Sequence, residues 1–256
     1  MEVALLQQDI AWENVRENHR RATRLLEGAA TAGARLAVLP EMFSTGFSLD
    51  AGRLAQAPGG KSEAFLEAQA KALDLWIIAS IPESGTPRPR NMALVVSPRG
   101  TAARYAKIHP FSYAGEHKHY EAGDRVVTVD VDGVRVTPLV CYDLRFPEPF
   151  RVAADDTDLF VLVANWPELR REHWRTLLRA RAIENQAYVV GVNRVGDGNN
   201  LHYTGDSAAV GPLGETLVEG GDQEGVFLAA VDPEVVAKLR GRFPALNDRR
   251  PQAYRR

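Results

Sequence analysis

Along the chain the spacing of apolar residues switches between a period of two and a period of 3.6, as expected where strands and helices share a sheet-based core. Val3 to Leu6 reads as a short buried strand. From Trp12 to Thr31 the pattern is helical, with Asn14-Val15 as the opening, Ala22, Leu25, Leu26 and Ala29 on one face and Gly33 as the stop. Leu36 to Leu39 is an apolar run closed by Pro40, a buried strand whose end is fixed. The same logic predicts a helix over 62–73 and a strand over 76–81. Met92–Ser97 and Thr101–Lys107 flank Pro98-Arg99-Gly100 and predict a hairpin. Val126–Val131 and Val134–Val140 flank Asp132-Gly133, a stronger hairpin signal.

Strands at 159–164 and 187–193 enclose a helical stretch, Glu172–Gln186, and strands at 207–211, 216–219 and 226–231 follow. Asp232-Pro233 opens a last helix running to Arg240, with Gly241 able to stop it. Hairpins interrupt any regular strand–helix repeat, and no linker, internal repeat or low-complexity stretch divides the chain. Residues 1–256 therefore read as one mixed α/β domain, with 243–256 as a C-terminal tail.

Composition narrows the function classes. With 45% hydrophobic and 25% charged residues in 256, the chain is an ordinary globular protein rather than a fibrous or disordered one. Lys and Arg number 31 against 33 Asp and Glu, so the basic footprint of a nucleic-acid binder is missing and no nucleic-acid partner is expected. Arg249, Arg250, Arg255 and Arg256 read as a solvated end. No run approaches the ~18 apolar residues of a membrane helix, so no membrane partner is expected either. The first nine residues lack a basic segment and are broken by polar residues, unlike a signal peptide. Cys141 is the only cysteine, which excludes an internal disulfide and makes a reducing, cytoplasmic location the simplest reading.

Three polar residues stand directly after apolar runs. Glu41 follows Leu36–Pro40, Lys107 follows Thr101–Ala106 and Cys141 follows Val134–Val140. Ligands of open α/β sheets sit at the carboxyl ends of strands, so an acid, a base and a thiol could converge in one crevice. A free thiol is mostly protonated at neutral pH. A neighbouring ammonium favours the thiolate, and a carboxylate can take and return its proton. The ammonium can also face the oxyanion formed on attack at a carbonyl, joined by a backbone N–H. Such a set suits acyl transfer from an amide. Each residue also has a plain alternative: a small buried hydrophobe for Cys141, a helix-start charge for Glu41, a surface lysine for Lys107.

Other chemistries find less support. His109, His117 and His119 with Glu116 could suggest a metal site, and His-x-His on a strand would aim both rings one way. No third ligand stands at diagnostic spacing, so no metal is expected. Gly196-Asp197-Gly198-Asn199-Asn200 reads as a turn between strands rather than a phosphate cradle. A catalytically inactive binding or assembly module is the alternative of a different class.

Leu-Pro-Glu-Met-Phe (39–43), Tyr-Ala-Lys-Ile-His (105–109) and Leu-Val-Cys-Tyr-Asp-Leu-Arg-Phe-Pro-Glu (139–148) resemble, in order and separation, the three signature segments of the nitrilase superfamily of carbon–nitrogen hydrolases. Val-Ala-Asn-Trp-Pro (163–167), the stretch 173–186, Gly-Asp-Ser (205–207) and Gly-Pro-Leu-Gly-Glu (211–215) extend the resemblance over nearly the whole chain. It implies a four-layer α-β-β-α sandwich that pairs through helices into a homodimer or higher homo-oligomer. It implies Glu41 as general base, Lys107 as oxyanion stabiliser and Cys141 as nucleophile, with no cofactor. Glu116 matches a second glutamate found in many members, and Glu121 in the same loop is the fallback.

Tyr142-Asp143 after the cysteine is similar to the amidase branches, where nitrilases proper usually carry Trp-Glu. Glu-Met-Phe-Ser-Thr-Gly-Phe (41–47) and Ala-Asn-Trp-Pro (164–167) point to bacterial omega-amidases, which act on ω-amides of α-keto acids such as 2-oxoglutaramate or 2-oxosuccinamate. Deaminated glutathione or an N-carbamoyl amino acid is the alternative substrate. Arg145 matches an arginine that clamps a substrate carboxylate in related carbamoylases, and an ion pair with Asp143 or Glu148 is its plain alternative. Phe47 stands where animal omega-amidases carry a tyrosine. Phe43, Phe47 and Trp166 would supply apolar walls, and Tyr142 completes the expected substrate contacts.

Overall fold

The structure, a computed structural model, describes residues 1–254. In chain order it forms β1 (Glu2–Gln7), α1 (Val15–Thr31), β2 (Leu36–Val38), α2 (Ala51–Leu54), α3 (Lys61–Leu73), β3 (Trp76–Glu83), β4 (Arg90–Ser97) and β5 (Gly100–Ala106). After the one-turn helix α4 (Glu116–His119) come β6 (Val129–Val131), β7 (Val134–Val140), α5 (Pro147–Ala153), β8 (Leu159–Ala164), α6 (Arg171–Asn185) and β9 (Tyr188–Asn193). A hairpin of β10 (Val195–Gly198) and β11 (Leu201–Thr204) precedes β12 (Ala208–Val210), β13 (Thr216–Glu219), β14 (Gly225–Ala230) and α7 (Pro233–Arg242).

Two six-stranded sheets carry the fold, in the orders β14-β1-β2-β3-β4-β5 and β13-β12-β9-β8-β7-β6. Each has three parallel strands at its centre, β1-β2-β3 and β7-β8-β9, with antiparallel strands outside them. Alternation along the strands assigns the faces. Val3, Leu5, Leu36, Val38, Ile78 and Val95 join the core shared with the second sheet. Their neighbours Ala4, Leu6, Ala37, Ile77 and Leu94 pack instead with Leu26 of α1 and Leu66 of α3. On the second sheet α6 supplies Trp174, Leu178 and Ala182. The helix lies so close over β9 that a Cβ built on Gly191 would meet Leu178 Cδ1 at 2.7 Å. The result is the expected helix–sheet–sheet–helix sandwich, in which each fully buried Leu or Ile contributes about 1.5–3 kcal/mol.

Helix α1 starts at Val15, where Asn14-Val15 is expected to open it, and the Asn14 side chain accepts the Glu17 amide as its cap. Other element ends differ from the sequence reading for local reasons. Strand β6 begins only at Val129, so 126–128 stand outside the ladder. Gly241 lies inside α7, which ends at Arg242. The segment after Phe243 is not a loose tail: two 3-10 turns, Ala245–Asp248 and Pro251–Tyr254, bring Leu246 into the interior and Arg249 onto Asp155. Arg255 and Arg256 fall outside the described residues. The turn read at 196–200 is the tip of the β10–β11 hairpin, and Asn199 and Asn200 both take positive φ, as a two-residue type I′ turn requires.

Candidate active site

The carboxyl ends of β2 and β5 in one sheet and of β7 and β8 in the other open on a single hollow. Glu41 leaves β2 through Leu39-Pro40 and is fully buried. Lys107 is the residue after β5 and is 1% exposed. Cys141 follows β7, and Asn165 follows β8. The turns that present the acid and the thiol are strained: Met42, directly after Glu41, has φ 45° and Cys141 has φ 46°. Side chains other than glycine in that region cost of order 1–3 kcal/mol, and such positions cluster at functional sites.

The geometry converges on Lys107. Its Nζ donates to Glu41 Oε1 at 2.9 Å and to Glu116 Oε2 at 2.8 Å. Glu116 opens α4 after Gly115, whose φ of 85° turns the chain inward. Asn91, at the start of β4, donates its Nδ2 to Glu41 Oε1 at 2.7 Å and to Glu116 Oε1 at 3.2 Å, tying the two carboxylates together. The Phe111 amide gives Glu116 a further donor. Asn165 links acid and thiol: its amide N–H donates to Glu41 Oε2 at 2.9 Å, and its carbonyl lies 3.9 Å from Cys141 Sγ.

Charge decides the resting protonation. Burial opposes a charge on Lys107, but the Glu116 and Glu41 carboxylates outweigh it and hold the ammonium well above its ordinary pKa. Burial also pushes the Cys141 thiol well up, Glu41 adds to that, and Lys107 only partly offsets them. Glu116 is raised by burial against the pull of Lys107, with Glu41 adding to the rise. Lys107 does pull the Cys141 thiol toward the thiolate, as expected, but burial and Glu41 outweigh that pull and the thiol stays protonated at rest.

The turn carrying the thiol is held from below. Asp143, fully buried, accepts from the Val140 amide at 3.0 Å, the Tyr105 hydroxyl at 2.8 Å and the His109 amide at 3.0 Å, and meets His109 Nδ1 at 2.8 Å. With all these partners Asp143 is not paired to Arg145. His109 is thus occupied in the turn, while His117 and His119 are exposed on α4, a helix and not the strand imagined for them. Among the described residues no group of three His, Cys, Asp or Glu could hold a metal ion.

A cavity of about 120 Å³ reaches Cys141 and Lys107. That is small beside the roughly 300–1,000 Å³ of drug-sized sites. Tyr142, Arg145, Phe47 and Trp166 all line it, as the sequence suggested. Phe47 lies beneath Lys107, its ring centre 5.4 Å from Nζ. Phe43 does not line it: it is buried in the other core, stacked near His19 and Phe65. Glu121 is also excluded, being turned outward to Arg88.

Sequence reasoning assigned no role to Asn91, Asn165, Arg170 or Tyr203. Asn165 ends an apolar run just as Glu41 and Cys141 do, so the same strand-end rule would have found it. Tyr203 stands on β11, a strand that the apolar pattern missed; burial pushes its hydroxyl up to about 12, so it remains a donor.

The family description for carbon–nitrogen hydrolases matches residues 2–241, and the chain belongs to that family. It is 43% identical over 97% of its length to the omega-amidase YafV of Escherichia coli strain K12, covering 96% of that protein. It is 32% identical to the 2-oxoglutaramate amidase of Bacillus subtilis strain 168, over 98% of each chain. Its fold is similar, with a TM-score of 0.93 and 39% identity, to the crystal structure of XC1258 from Xanthomonas campestris, a CN-hydrolase superfamily protein with an arsenic adduct in the active site. That similarity covers 98% of this chain and 97% of the other. The resemblance read from the three segments is borne out.

A raised thiol pKa has a measurable sign. The rate of Cys141 alkylation by iodoacetamide, followed by intact mass, should be slow at pH 7. It should keep rising beyond pH about 8.5, the ordinary thiol value. A plateau reached below pH 7 would contradict the neutral resting thiol.

Proposed function

We propose that the chain is an omega-amidase that hydrolyses the ω-amide of a short α-keto acid, 2-oxoglutaramate or 2-oxosuccinamate, to the dicarboxylate and ammonia. The observation that carries this reading is one small cavity with the Cys141–Lys107–Glu41 cluster at its base and Arg145 in its wall without a carboxylate partner among the described residues. The names of the two relatives support the same substrate class.

In this reading Glu41 takes the Cys141 proton as sulfur attacks the amide carbon. Lys107, with the Tyr142 backbone N–H, stabilises the oxyanion. Collapse of the tetrahedral adduct breaks the C–N bond, Glu41 returns the proton to the leaving nitrogen, and ammonia departs from a thioester. Water then loses a proton to Glu41 as it attacks the thioester, and the acid and free thiol are regenerated. Glu116 and Asn91 keep Lys107 and Glu41 aligned through both halves. The chemistry needs no cofactor. A thiol nucleophile also fits a reducing, cytoplasmic setting.

Arg145 is the proposed carboxylate clamp. Its guanidinium lies over the Trp166 ring at 4.8 Å, and one corner meets His173 Nδ1 at 3.1 Å, leaving the rest of its fork for substrate. Phe47, Trp166 and Tyr142 then close the apolar sides of a chain only a few carbons long. A homodimer belongs to the same proposal, supported by Val152 on α5 and Ile183 on α6, which are 76% and 54% exposed on the outer helical layer.

Two measurements test these points. Cys141→Ala should abolish ammonia release from 2-oxoglutaramate. Arg145→Ala should lower the kcat/KM ratio for the carboxylated over a neutral amide about tenfold or more, the loss of a charge-assisted contact of about 1.5–3 kcal/mol. Ammonia release surviving in Cys141→Ala, or an unchanged ratio in Arg145→Ala, contradicts the assignment concerned. Light scattering should give twice the chain mass, and a monomer mass at micromolar concentration would remove the dimer.

A further inference from the structure

Arg170 lines the cavity together with Arg145, although it stands in the 3-10 turn Glu168–Arg170 that leads into α6. The contrast with its neighbour is sharp. Arg171 is held by both oxygens of Asp206, at 2.7 and 2.8 Å. Among the described residues the Arg170 guanidinium has neither a carboxylate partner nor a hydrogen bond, and it rests instead on the face of Phe111, 5.3 Å from the ring centre. Arg145 is seated the same way on Trp166. Each cation lies over an aromatic face; the Arg170 N–H groups have no hydrogen-bond partner among the described residues, and those of Arg145 meet only His173 Nδ1.

The supports of the two arginines are themselves anchored. Trp166 Nε1 donates to the Arg170 carbonyl at 2.7 Å, and the Trp166 amide donates to Asn193 Oδ1 at 2.7 Å. The Phe111 amide donates to Glu116, the carboxylate that grips Lys107. Arg170 is therefore tied, through one ring and one carboxylate, to the group that faces the scissile bond. The two guanidiniums also feel one another: burial and then the charge of Arg170 lower the pKa of Arg145. Two unneutralised cations sharing a small apolar-walled cavity repel, and an anion between them relieves the repulsion.

We infer that Arg170 is a second specificity-determining residue, forming with Arg145 a two-guanidinium subsite for the carboxylate end of the substrate. This rests on the omega-amidase reading and deepens it. The head of an α-keto acid presents two carboxylate oxygens and a keto oxygen in one plane. Two planar forks match that head better than one, whereas a neutral amide gives the second fork nothing to bind.

The test separates binding from turnover. 2-Oxoglutarate, which carries the head group but no amide, is titrated calorimetrically into the Cys141→Ala protein and into the same protein with Arg170→Ala or Arg170→Lys. Its Kd should weaken tenfold or more with alanine and recover in part with lysine, at unchanged Tm. In the enzyme with its cysteine intact, Arg170→Ala should raise KM for 2-oxoglutaramate more than it lowers kcat. An equal Kd with and without the guanidinium, or no binding of 2-oxoglutarate to the Cys141→Ala protein, overturns the subsite. Failure of the unaltered enzyme to release ammonia from 2-oxoglutaramate while it cleaves a neutral amide strikes the proposed reaction instead, and the titration still judges Arg170.

Discussion

A lysine ammonium shut between two carboxylates, with Lys107 1% exposed and Glu41 and Glu116 fully buried, is the constraint on which the rest of this structure depends. Burying charges costs several kcal/mol per ion, and mutual attraction offsets that only when the remaining lone pairs are also satisfied. The fold meets the condition from three directions. Asn91 Nδ2 serves both carboxylates, the Asn165 amide serves Glu41, and the Phe111 amide serves Glu116. These donors come from β4, from the end of β8 and from the loop before α4. The cluster therefore forms only when both sheets are stacked in register.

The same arrangement explains why the thiol is left neutral. An ammonium already facing two carboxylates has little field to spare, so its pull on Cys141 is outweighed by burial and by Glu41. A neutral resting thiol suits a reaction in which proton and nucleophile move together. It also spares a lone cysteine from standing as a reactive thiolate between turnovers. The strained backbone at Met42 and Cys141 belongs to the same design, since the chain must turn sharply at each strand end to present Glu41 and Cys141.

Much of this was legible in the chain because strand ends are marked by abrupt changes in polarity. Glu41, Lys107 and Cys141 each follow an apolar run, and the sheets bring those ends together. Glu116 had no such marker: it opens the one-turn helix α4 away from any strand end, and only the resemblance gave it a catalytic role. Asn91 escaped because it begins a strand antiparallel to the central ones, which places a start where the rule looks for an end. Arg170 and Tyr203 escaped for another reason, since their roles depend on a short turn and a hairpin brought over the cavity from distant sequence. Phe43 was misread because a residue two places after Glu41 turns away once Met42 adopts positive φ. The start of α1 was legible because Asn14 is a capping residue, and its side chain accepts the Glu17 amide there.

The account stands or falls on Glu41 drawing the proton from a neutral thiol as the C–S bond forms. Rapid mixing of the Glu41→Gln protein with 2-oxoglutaramate, acid quenching and intact mass measurement read that step directly. The unaltered enzyme should show the thioester on Cys141 within the first turnover, and Glu41→Gln should show none on that timescale while retaining its fold by circular dichroism. A thioester appearing in Glu41→Gln at the unaltered rate would contradict the account.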